Sequence, residues 1–396
     1  MDFKNYLVPG KTGLLIGIGG VSMSPLAEVL HDAGLDIRGS DMAESSNTLT
    51  LRERGIPIHI GHSADNVTDD ISFVIRTAAV HDDNPEVHEA HRRGIPVFER
   101  TQAWGALMRG YQNALCISGT HGKTTTTSMC THIMMAAEKD PTVMIGGTLP
   151  LLKACHRVGK GNTIIMESCE YYNSFLALNP TIAVVLNIEA DHLDFFKDLE
   201  DIKHSFRCFA ERVPAETGTV IANYDDANTM DALRGIARKV ITFGLNAKAD
   251  VYAQNIVHRG SVSEFDIYHR GNYFARVTLH VPGIHNVRNA LAATAAAIVL
   301  GVSPNAVKYG LAGFEGAGRR FDFKGKFQGA DLYDDYAHHP SELRALLDAV
   351  DTLNYQRTIV VFQPHTYSRT AKLFNDFVEQ LRRPTIVYLA EIYAAR

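Results

Sequence analysis

The residues SGTHGKTTTT, at positions 118–127, have the types and the spacing of a loop that binds phosphate groups. They match a Walker A loop, G-x-x-x-x-G-K-[ST], except that an isoleucine replaces its first glycine. Gly119 and Gly122 allow backbone N–H groups to turn toward an anion. Lys123 offers a positive charge to the β- and γ-phosphates, and the hydroxyl of Thr124 suits Mg²⁺. A strand before the loop and a helix after it favour a nucleoside triphosphate site over a helix start with a chance GKT match.

Carboxylate and imidazole side chains follow the next two predicted strands. Glu167 ends the strand IIME, and Glu170 comes shortly after it. Asp191 and His192 follow the strand VVLN. Because ligands collect at the carboxyl ends of parallel strands, these groups are expected near Lys123. Oxygen ligands suit Mg²⁺, so the carboxylates predict a magnesium site, and the histidine indicates a second, specialised ion position. The alternative is that the acidic residues are polar loop residues that bind no ion.

Near the N-terminus, the glycines of GIGGVSMS partly match the dinucleotide-binding pattern G-x-G-x-x-G. Gly17 and Gly19 fit this pattern, but Ser22 stands at the third glycine position. Asp41 lies about twenty residues further on, where an acidic residue binds the ribose in such folds. The incomplete pattern predicts a site for a nucleoside diphosphate or a dinucleotide, and leaves a purely structural turn open.

Arginines and histidines cluster in the last part of the chain, again next to predicted strands. The motif GAGRRF contains Arg319 and Arg320. DDYAHHP, at 334–340, and FQPHTYSRT, at 362–370, each follow a strand. Arginines at such positions suit the capture of carboxylates or phosphates. The clusters therefore predict a small anionic partner, with exposed loops as the alternative.

Three predicted units would position these groups. Short apolar runs alternate with helical patterns, which predicts an α/β fold of three domains. Residues 1–112 are expected to form a Rossmann-like domain, and residues 113–316 a P-loop-type ATPase domain with a parallel sheet. Period-two alternation over residues 251–281 predicts a small antiparallel appendage to the second domain. Residues 317–396 are expected to form a Rossmann-like C-terminal domain that is incomplete, because the chain stops directly after a strand.

Composition limits the classes of function. The chain has 396 residues, 45% of them hydrophobic, and a net charge of −5, which does not favour non-specific binding to nucleic acid or anionic membranes. Its five cysteines include no CxxC pair, so reduced thiols are expected. No signal peptide is visible, and the most apolar segment, residues 289–302, is shorter than a membrane span. The sequence predicts a cytoplasmic protein with no nucleic-acid or membrane partner.

The chain resembles the Mur ligases of bacterial cell-wall synthesis over essentially its whole length, and its glycine-rich opening is similar to the alanine-adding branch. The resemblance rests on GIGGVSMSPLAEVL, GSD, DNPEV, GTHGKTTTT, ESCEYYNSF, NIEADHLD, PGIHNVRNALAA, GAGRRFD, DDYAHHP and FQPHTYSRT. It implies an ATP-dependent ligase that joins L-alanine to the lactyl carboxylate of UDP-N-acetylmuramate through an acyl phosphate, in peptidoglycan precursor synthesis. It also implies ATP and Mg²⁺, or Mn²⁺, as cofactors, and a monomer or weak homodimer.

The resemblance also implies roles for the matching residues, with His121 between ATP and the lactyl carboxylate. The residues expected to take part in catalysis are Lys123, Glu170, His192 and Arg320. The residues expected to bind ATP are Gly119, Thr120, His121, Gly122, Lys123, Thr124, Thr125, Asn286, Asn289, Arg320 and Asp335. The expected metal ligands are Thr124, Glu170 and His192. The residues expected to bind the UDP-sugar or the acceptor are Gly17, Gly19, Gly20, Ser22, Asp41, His339, His365 and Arg369.

The chain departs from the family pattern in several places. Many relatives have aspartates where this chain has Cys169 and Tyr172, which indicates a lineage variant. Arg207 stands near the position of a lysine that several Mur ligases carbamylate, so no carbamylated lysine is expected. Relatives also continue well past Tyr393, so the third domain is expected to be incomplete, and the activity of this chain by itself stays open.

Two other functions stay open at this point. A recycling ligase that joins a whole peptide to UDP-N-acetylmuramate shares most of these motifs. A non-catalytic regulator would bind a nucleotide without turnover. The set of Lys123, Thr124, Glu170 and His192 argues against the regulator, because a protein that only binds has no need of a complete metal site.

Overall fold

The computed structural model describes residues 2–77 and 79–394, so Met1, Ala78, Ala395 and Arg396 lie outside the described residues. Its first unit is a parallel sheet with the strand order β3-β2-β1-β4-β5. The strands are β1 Thr12–Ile16, β2 Asp36–Asp41, β3 Ile58–Ile60, β4 Ile71–Arg76 and β5 Val97–Glu99. The helices are α1 Ser24–Asp32, α2 Ser46–Glu53, α3 Pro85–Arg92 and α4 Arg100–Met108. This order is that of a Rossmann-like sheet, which confirms the predicted fold of this unit.

The strand order of the first unit reverses between β1 and β4, next to the glycine-rich loop. All five residues of β1 are buried, as expected for the central strand of a parallel sheet covered on both faces. Helix α1 has Pro25 in its first turn and ends before Gly34, which has a φ of +86°. The loop between β1 and α1 therefore opens at the crevice where open parallel sheets bind their ligands.

The central unit is a sheet of ten strands in the order β15-β14-β13-β12-β11-β10-β6-β9-β7-β8. The strands are β6 Asn113–Ser118, β7 Thr142–Leu149, β8 Ala154–Arg157, β9 Thr163–Glu167, β10 Ile182–Val185, β11 Thr219–Asn223, β12 Lys239–Gly244, β13 Val251–Arg259, β14 Val262–His269 and β15 Asn272–Leu279. The helices are α5 Lys123–Ala136, α6 Leu199–Glu211, α7 Ala227–Ala232, α8 Ile284–Val299 and α9 Pro304–Ala312. Apolar residues of α5 and α8 pack with the sheet in one core, and α8 is buried and rich in alanine.

The predicted antiparallel appendage is an extension of the central sheet. Strand β12 pairs in parallel with β13, and β13, β14 and β15 then pair in antiparallel fashion. The two turns contain Gly260, Arg270 and Gly271, all with positive φ, as tight hairpins require. The prediction of an antiparallel segment is confirmed, and the pairing of β12 with β13 explains why it is continuous with the parallel strands.

The third unit alternates strands and helices as predicted, but its strands form two separate pairs within the described residues instead of one Rossmann-like sheet. Its strands are β16 Asp322–Phe327, β17 Ala330–Asp334, β18 Ile359–Phe362 and β19 Ile386–Leu389, and its helices are α10 Pro340–Asp351, α11 Tyr367–Lys372 and α12 Phe374–Leu381. Strand β17 pairs with β16 in an antiparallel hairpin, whereas β18 pairs in parallel with β19. Gln328 (φ +50°) and Gly329 (φ +85°) form a two-residue turn, which favours the local hairpin.

No helix within residues 2–77 and 79–394 combines the length and the apolar character needed to cross a membrane.

Candidate active site

The predicted phosphate loop joins the strand β6 to helix α5. Gly119 (φ +145°) and Gly122 (φ +83°) have backbone conformations that favour glycine. The side chain of Asn187, just after β10, accepts a hydrogen bond from the N–H of His121 at 2.8 Å and donates one to its carbonyl oxygen at 3.1 Å. The hydrogen bonds with Asn187 therefore fix the conformation of the loop, and the N-terminus of α5 follows directly after it.

We expect the substitution Gly122→Ala to weaken nucleotide binding at least about tenfold, a loss of about 1.4 kcal/mol. A Cβ atom at this position would lie 2.7 Å from Oδ1 of Asn289, at a φ of +83°. Gly55 has nearly the same φ, +86°, but a Cβ atom there meets nothing within 4 Å, so Gly55→Ala is the control for the conformational cost. Titration with a fluorescent ATP analogue measures the affinity, and equal affinities of the two variants would contradict the loop assignment.

Lys123 is held by three acceptors around the loop. Its Nζ donates to the carbonyl oxygens of Gly119 at 2.5 Å and Thr120 at 3.1 Å, and lies 3.0 Å from Oε2 of Glu170. Burial acts to lower the pKa of Lys123, but the charge of Glu170 outweighs it and raises the pKa above its ordinary value. Lys123 is therefore a positive charge at neutral pH with a defined position, which suits a phosphate-binding lysine.

Four of the predicted polar groups meet beside the loop in an arrangement that fits Mg²⁺. Oγ1 of Thr124 lies 3.0 Å from Oε1 of Glu167, whose Oε2 accepts a hydrogen bond from the N–H of Gly146 at 2.6 Å. Nε2 of His192 lies 3.9 Å from Oε1 of Glu170. Burial lowers the pKa of His192, which favours the neutral form of its ring. Hydroxyl and carboxylate oxygens are the ligands that Mg²⁺ prefers, so Thr124, Glu167 and Glu170 suit this ion, and His192 would be a less usual nitrogen ligand.

A cavity of about 420 Å³ lies between the phosphate loop and the third unit. On the central side it is lined by Thr125 and by Asn286 and Asn289 of α8. Both asparagines are buried, and Nδ2 of Asn289 donates to Oδ1 of Asn286 at 3.2 Å. Arg320 and Asp335 line the cavity from the third unit. The structure thus places these predicted ATP-binding residues around one cavity.

Asp335 and Arg320 organise the third-unit wall of this cavity. The two carboxylate oxygens of Asp335 accept the N–H groups of Phe321 and Ala337, each at 2.7 Å. Burial raises the pKa of Asp335. NH1 of Arg320 lies 3.8 Å from Oε1 of Glu342. Asp335 therefore holds the residue before β16 against the end of β17, and this contact positions Arg320 at the cavity wall.

A larger cleft, of about 1130 Å³, connects the first unit to the phosphate loop. Val21 and Ser24 line it from the first unit, Lys123 and Cys169 from the central unit, and Arg319 from the third. The cleft therefore extends from the residues next to the glycine-rich loop to the side chain of Lys123.

The glycine-rich loop after β1 is closed by Asp41. Oδ2 of Asp41 accepts a hydrogen bond from the N–H of Gly19 at 2.8 Å. The hydroxyl of Ser22 accepts a hydrogen bond from Arg100, a residue that the sequence patterns do not single out. The structure brings the predicted residues of the first unit together around this loop: Gly17, Gly19, Gly20, Ser22 and Asp41.

An ion pair that the sequence patterns do not predict joins the first and central units in the wall of the cleft. Nε2 of His156 lies 3.1 Å from Oε1 of Glu28, and Oε2 of Glu28 lies 3.5 Å from NH1 of Arg54. Burial acts to lower the pKa of His156, but its hydrogen bonds with Cys155 and Glu28 raise the pKa to about 9. His156 therefore carries a positive charge at neutral pH. In the sequence it is an isolated histidine that the patterns assign to no site.

The substitution Glu28→Gln should lower the pKa of His156 from about 9, because burial is then opposed by the contact with Cys155 but no longer by the charge of Glu28. The pKa of His156 in the folded protein lies above the ordinary value of 6.5. The ion pair therefore contributes fully to the free energy of unfolding below pH 6.5, and this contribution is lost as the pH rises through 9. An NMR titration of His156 measures the change. Glu44→Gln, which removes an exposed partner of Arg52, is the control, and an unchanged pKa in Glu28→Gln would contradict the pairing.

The guanidinium of Arg369 joins the third unit to the central unit through Asp191. Its Nε and NH2 lie 3.0 and 2.9 Å from Oδ1 of Asp191, and the two side chains are only 9% and 8% exposed. Nδ1 of His365 lies 3.4 Å from NH1 of Arg369. These residues and His192 line a cavity of about 440 Å³. The predicted residues His365 and Arg369 therefore lie beside the candidate metal site.

His121 lies between two carboxylates where the central and third units meet. Its Nδ1 lies 3.2 Å from Oε1 of Glu342, and its Nε2 lies 3.4 Å from Oε2 of Glu189. Burial acts to lower the pKa of His121, but the two carboxylates raise it to about 9. The rings of His121 and His339 have their centroids 4.9 Å apart. The predicted residues His121 and His339 are thus brought together by contacts across the two units.

Family models match most of the chain in three consecutive parts. The model of the Mur ligase family, catalytic domain, matches residues 15–112, the Mur ligase middle domain residues 117–297, and the Mur ligase, glutamate ligase domain residues 319–393. A relative from Agathobacter rectalis, named UDP-N-acetylmuramate–L-alanine ligase, is 47% identical over 382 residues, which cover 96% of this chain and 83% of the relative. The chain belongs to the Mur ligase family.

Solved structures of Mur ligases have the same α/β architecture. The crystal structure of UDP-N-acetylmuramate-alanine ligase from Thermotoga maritima matches with a TM-score of 0.79 and 30% identity, and covers 97% of this chain and 86% of that one. The UDP-N-acetylmuramate:L-alanyl-γ-D-glutamyl-meso-diaminopimelate ligase from Neisseria meningitides matches with a TM-score of 0.70 and 26% identity, over 78% of this chain and 99% of that one. The predicted α/β fold of a three-domain Mur ligase is therefore confirmed.

The residues that depart from the Mur ligase pattern have contacts of their own. Cys169 lines the cleft beside Lys123. Tyr172 is 57% exposed, and its ring centroid lies 4.8 Å from that of Phe195. Nε of Arg207 lies 3.0 Å from Oε1 of Glu211 within α6. Replacing Tyr172 with aspartate would remove the ring contact with Phe195 from this Mur ligase.

Several residues of the site were not predicted from the sequence. These are Glu28, Asn187, Glu189 and Glu342. Only Glu342 has a local signal, because it is the third residue of α10 and forms a capping box with His339. A capping box predicts where a helix begins, but it does not predict that Glu342 contacts His121 in the central unit of the Mur ligase fold.

Proposed function

We propose that this Mur ligase joins L-alanine to the lactyl carboxylate of UDP-N-acetylmuramate, with ATP as the energy source and an acyl phosphate as the intermediate. The observation that carries the proposal is the shared wall of the cavity and the cleft. His121, Thr124 and Arg320 line both the 420 Å³ cavity and the 1130 Å³ cleft. A nucleotide in the cavity and a carboxylate in the cleft would therefore meet at the phosphate loop. The relative that is 47% identical over 96% of the chain carries the name of this activity.

ATP and Mg²⁺ fit the residues that the structure brings together. When bound, ATP supplies the phosphoryl group, and Mg²⁺ offsets the negative charge that develops on it. Thr124, Glu167, Glu170 and His192 would hold the ion. The asparagines of α8 and the residues Arg320 and Asp335 would hold the nucleotide in the 420 Å³ cavity.

The residues around the phosphate loop stabilise negative charge. Lys123 keeps its proton because Glu170 raises its pKa, so it acts as a permanent cation beside the phosphates. His121 carries a second positive charge on the side of the cleft, since its pKa is raised to about 9. Arg320 adds a third from another unit, so the full set of charges exists only when the central and third units are together.

In this proposal the two substrates bind in different places. We assign the UDP portion to the glycine-rich loop of Gly17, Gly19, Gly20 and Ser22 with Asp41, because that loop lies at the switch point of the first sheet. We assign L-alanine to the 440 Å³ cavity that His365 and Arg369 line, with His339 nearby in the third unit. Holding the amine near the activated carboxylate is the main contribution required there.

The proposal also includes the setting of the protein. We propose a cytoplasmic monomer or weak homodimer that takes part in peptidoglycan precursor synthesis, without nucleic-acid or membrane partners. The predicted boundaries at residues 112 and 316 are part of the same proposal, with one ligand assigned mainly to each unit.

The test compares two acceptors with the full chain. UDP-N-acetylmuramate, ATP and Mg²⁺ are supplied with either L-alanine or the tripeptide L-alanyl-γ-D-glutamyl-meso-diaminopimelate, and phosphate release is measured with mass spectrometry of the product. We expect release with L-alanine and a product heavier by one alanine residue. Release with the tripeptide alone would assign the protein to the recycling ligases, and binding of ATP without release would assign it to the regulators.

A further inference from the structure

A cluster of imidazole and carboxylate groups lies outside the candidate magnesium site. His121 of the phosphate loop, Glu189 after β10, and His339 at the start of α10 each offer one ligand atom, and these atoms lie within 4.8 Å of one another. His339 is 5% exposed, and the cluster joins the central unit to the third unit. None of the three residues belongs to the set that fits Mg²⁺.

One nitrogen of each histidine in this cluster is buried without a hydrogen bond. Nε2 of His121 lies 3.4 Å from Oε2 of Glu189 but forms no hydrogen bond with it, and Nε2 of His339 has no hydrogen-bond partner. Nδ1 of His339 lies 3.9 Å from the same carboxylate oxygen. Both of these atoms also accept a hydrogen bond from Ser341, Nδ1 from its N–H and Oε2 from its hydroxyl. Polar atoms that are buried without partners are costly, so groups that face one another in this way indicate an atom that can lie between them.

The surroundings of His121 resemble those of a metal-binding histidine. Its Nδ1 lies 3.2 Å from Oε1 of Glu342, which leaves Nε2 directed toward Glu189. A histidine that binds a metal through one ring nitrogen typically donates the other N–H to a carboxylate, which orients the ring. Glu342 is itself held by the N–H groups of His338 and His339, at 2.9 and 3.3 Å.

The donor set selects a class of cation. Two imidazoles and one carboxylate suit Zn²⁺ and similar transition metals, whereas Mg²⁺ prefers oxygen ligands only. The carboxylates of Glu189 and Glu342 favour a proton on His121, and they would also favour a divalent cation in place of that proton. We infer that His121, Glu189 and His339 form a binding site for a divalent transition-metal cation of the Zn²⁺ class. A cation at this site joins the phosphate loop to α10 and holds the central and third units together.

The experiment measures Zn²⁺ binding to the nucleotide-free full chain by competition with a chromophoric chelator. His339→Asn removes the imidazole, but keeps a residue that caps helices well, so α10 can still form. Glu189→Gln removes the carboxylate with little change of shape. We expect one Zn²⁺ per chain in the wild type and an affinity at least about tenfold lower in each variant, the range found when metal sites lose supporting groups.

His88→Ala is the control, because His88 is exposed on α3 of the first unit, outside the cluster, whereas His192→Ala reports Zn²⁺ at the candidate magnesium site. Full affinity in His339→Asn and Glu189→Gln, or a loss in His192→Ala alone, would overturn the inference. Co²⁺ serves as a second probe. A visible spectrum without a sulfur-to-metal charge-transfer band is expected, whereas such a band would place the ion on the cysteines Cys155 or Cys169 of the cleft and overturn the inference.

Discussion

The substitution Lys123→Ala is expected to lower kcat at least about 100-fold, the usual cost of removing one group that stabilises charge in a transition state. Lys123 contacts the loop carbonyl groups and Glu170, all of them in the central unit, whereas the glycine-rich loop belongs to the first unit. Binding of UDP-N-acetylmuramate should therefore stay nearly unchanged. Phosphate release and calorimetric titration with the UDP-sugar measure the two effects separately.

The same substitution should also lower stability, because Glu170 is only 2% exposed and would lose its cation. Breaking one side of a buried ion pair costs about 3–5 kcal/mol of the free energy of unfolding. The double variant Lys123→Ala, Glu170→Gln should regain much of this stability without regaining turnover. This result separates the loss of catalysis from a loss of folding.

Lys139→Ala is the matched control, since Lys139 is exposed and follows α5 at its other end. It should leave both turnover and binding unchanged. If Lys123→Ala lost UDP-sugar binding to the same degree as turnover, the division of the ligands among the three units would be wrong.

The substitution Arg369→Met is expected to destabilise the protein by about 3–5 kcal/mol, because it leaves the charge of Asp191 buried without a partner. The two side chains are 9% and 8% exposed and are joined at 2.9 Å. The double variant with Asp191→Asn should be more stable than Arg369→Met alone. Urea denaturation at pH 7 gives the coupling energy of the pair.

The pair should also have a characteristic pH dependence. Burial acts to raise the pKa of Asp191, but His192 and Arg369 lower it to about 2, below the ordinary value of 3.8. The stabilisation is therefore present above pH 3.8 and is lost as the pH falls through 2, for a total of roughly 2 kcal/mol. The difference in unfolding free energy between the wild type and Asp191→Asn should shrink over this range.

Arg38→Met is the control for the second prediction. Arg38 pairs with Asp70 at 2.7 Å, but their side chains are 30% and 50% exposed. Exposed pairs contribute about 0–1 kcal/mol, so this variant should be nearly as stable as the wild type. A similar loss in Arg38→Met and Arg369→Met would contradict the role of burial at Asp191.

The local features of the fold could be predicted because their causes lie close together in the chain. The strand, glycine loop and helix at residues 113–136 follow directly from residue type and order. The hairpin turns near Gly260 and Gly271 likewise follow from residues that adopt a positive φ. The hairpin of β16 and β17 has an equally local cause, the Gln328–Gly329 turn. It was not predicted, because its first strand lacks the clear apolar alternation that marks β14.

The sequence by itself determined the phosphate loop, the glycine-rich loop, the α/β order of the elements and the resemblance to the Mur ligases. Only the tertiary structure decided which side chains meet across the units. Arg369 and Asp191 are 178 positions apart, His121 and Glu342 are 221 apart, and Glu28 and His156 are 128 apart. Such pairs leave no local pattern, because their distance depends on how three separately folded sheets pack against one another.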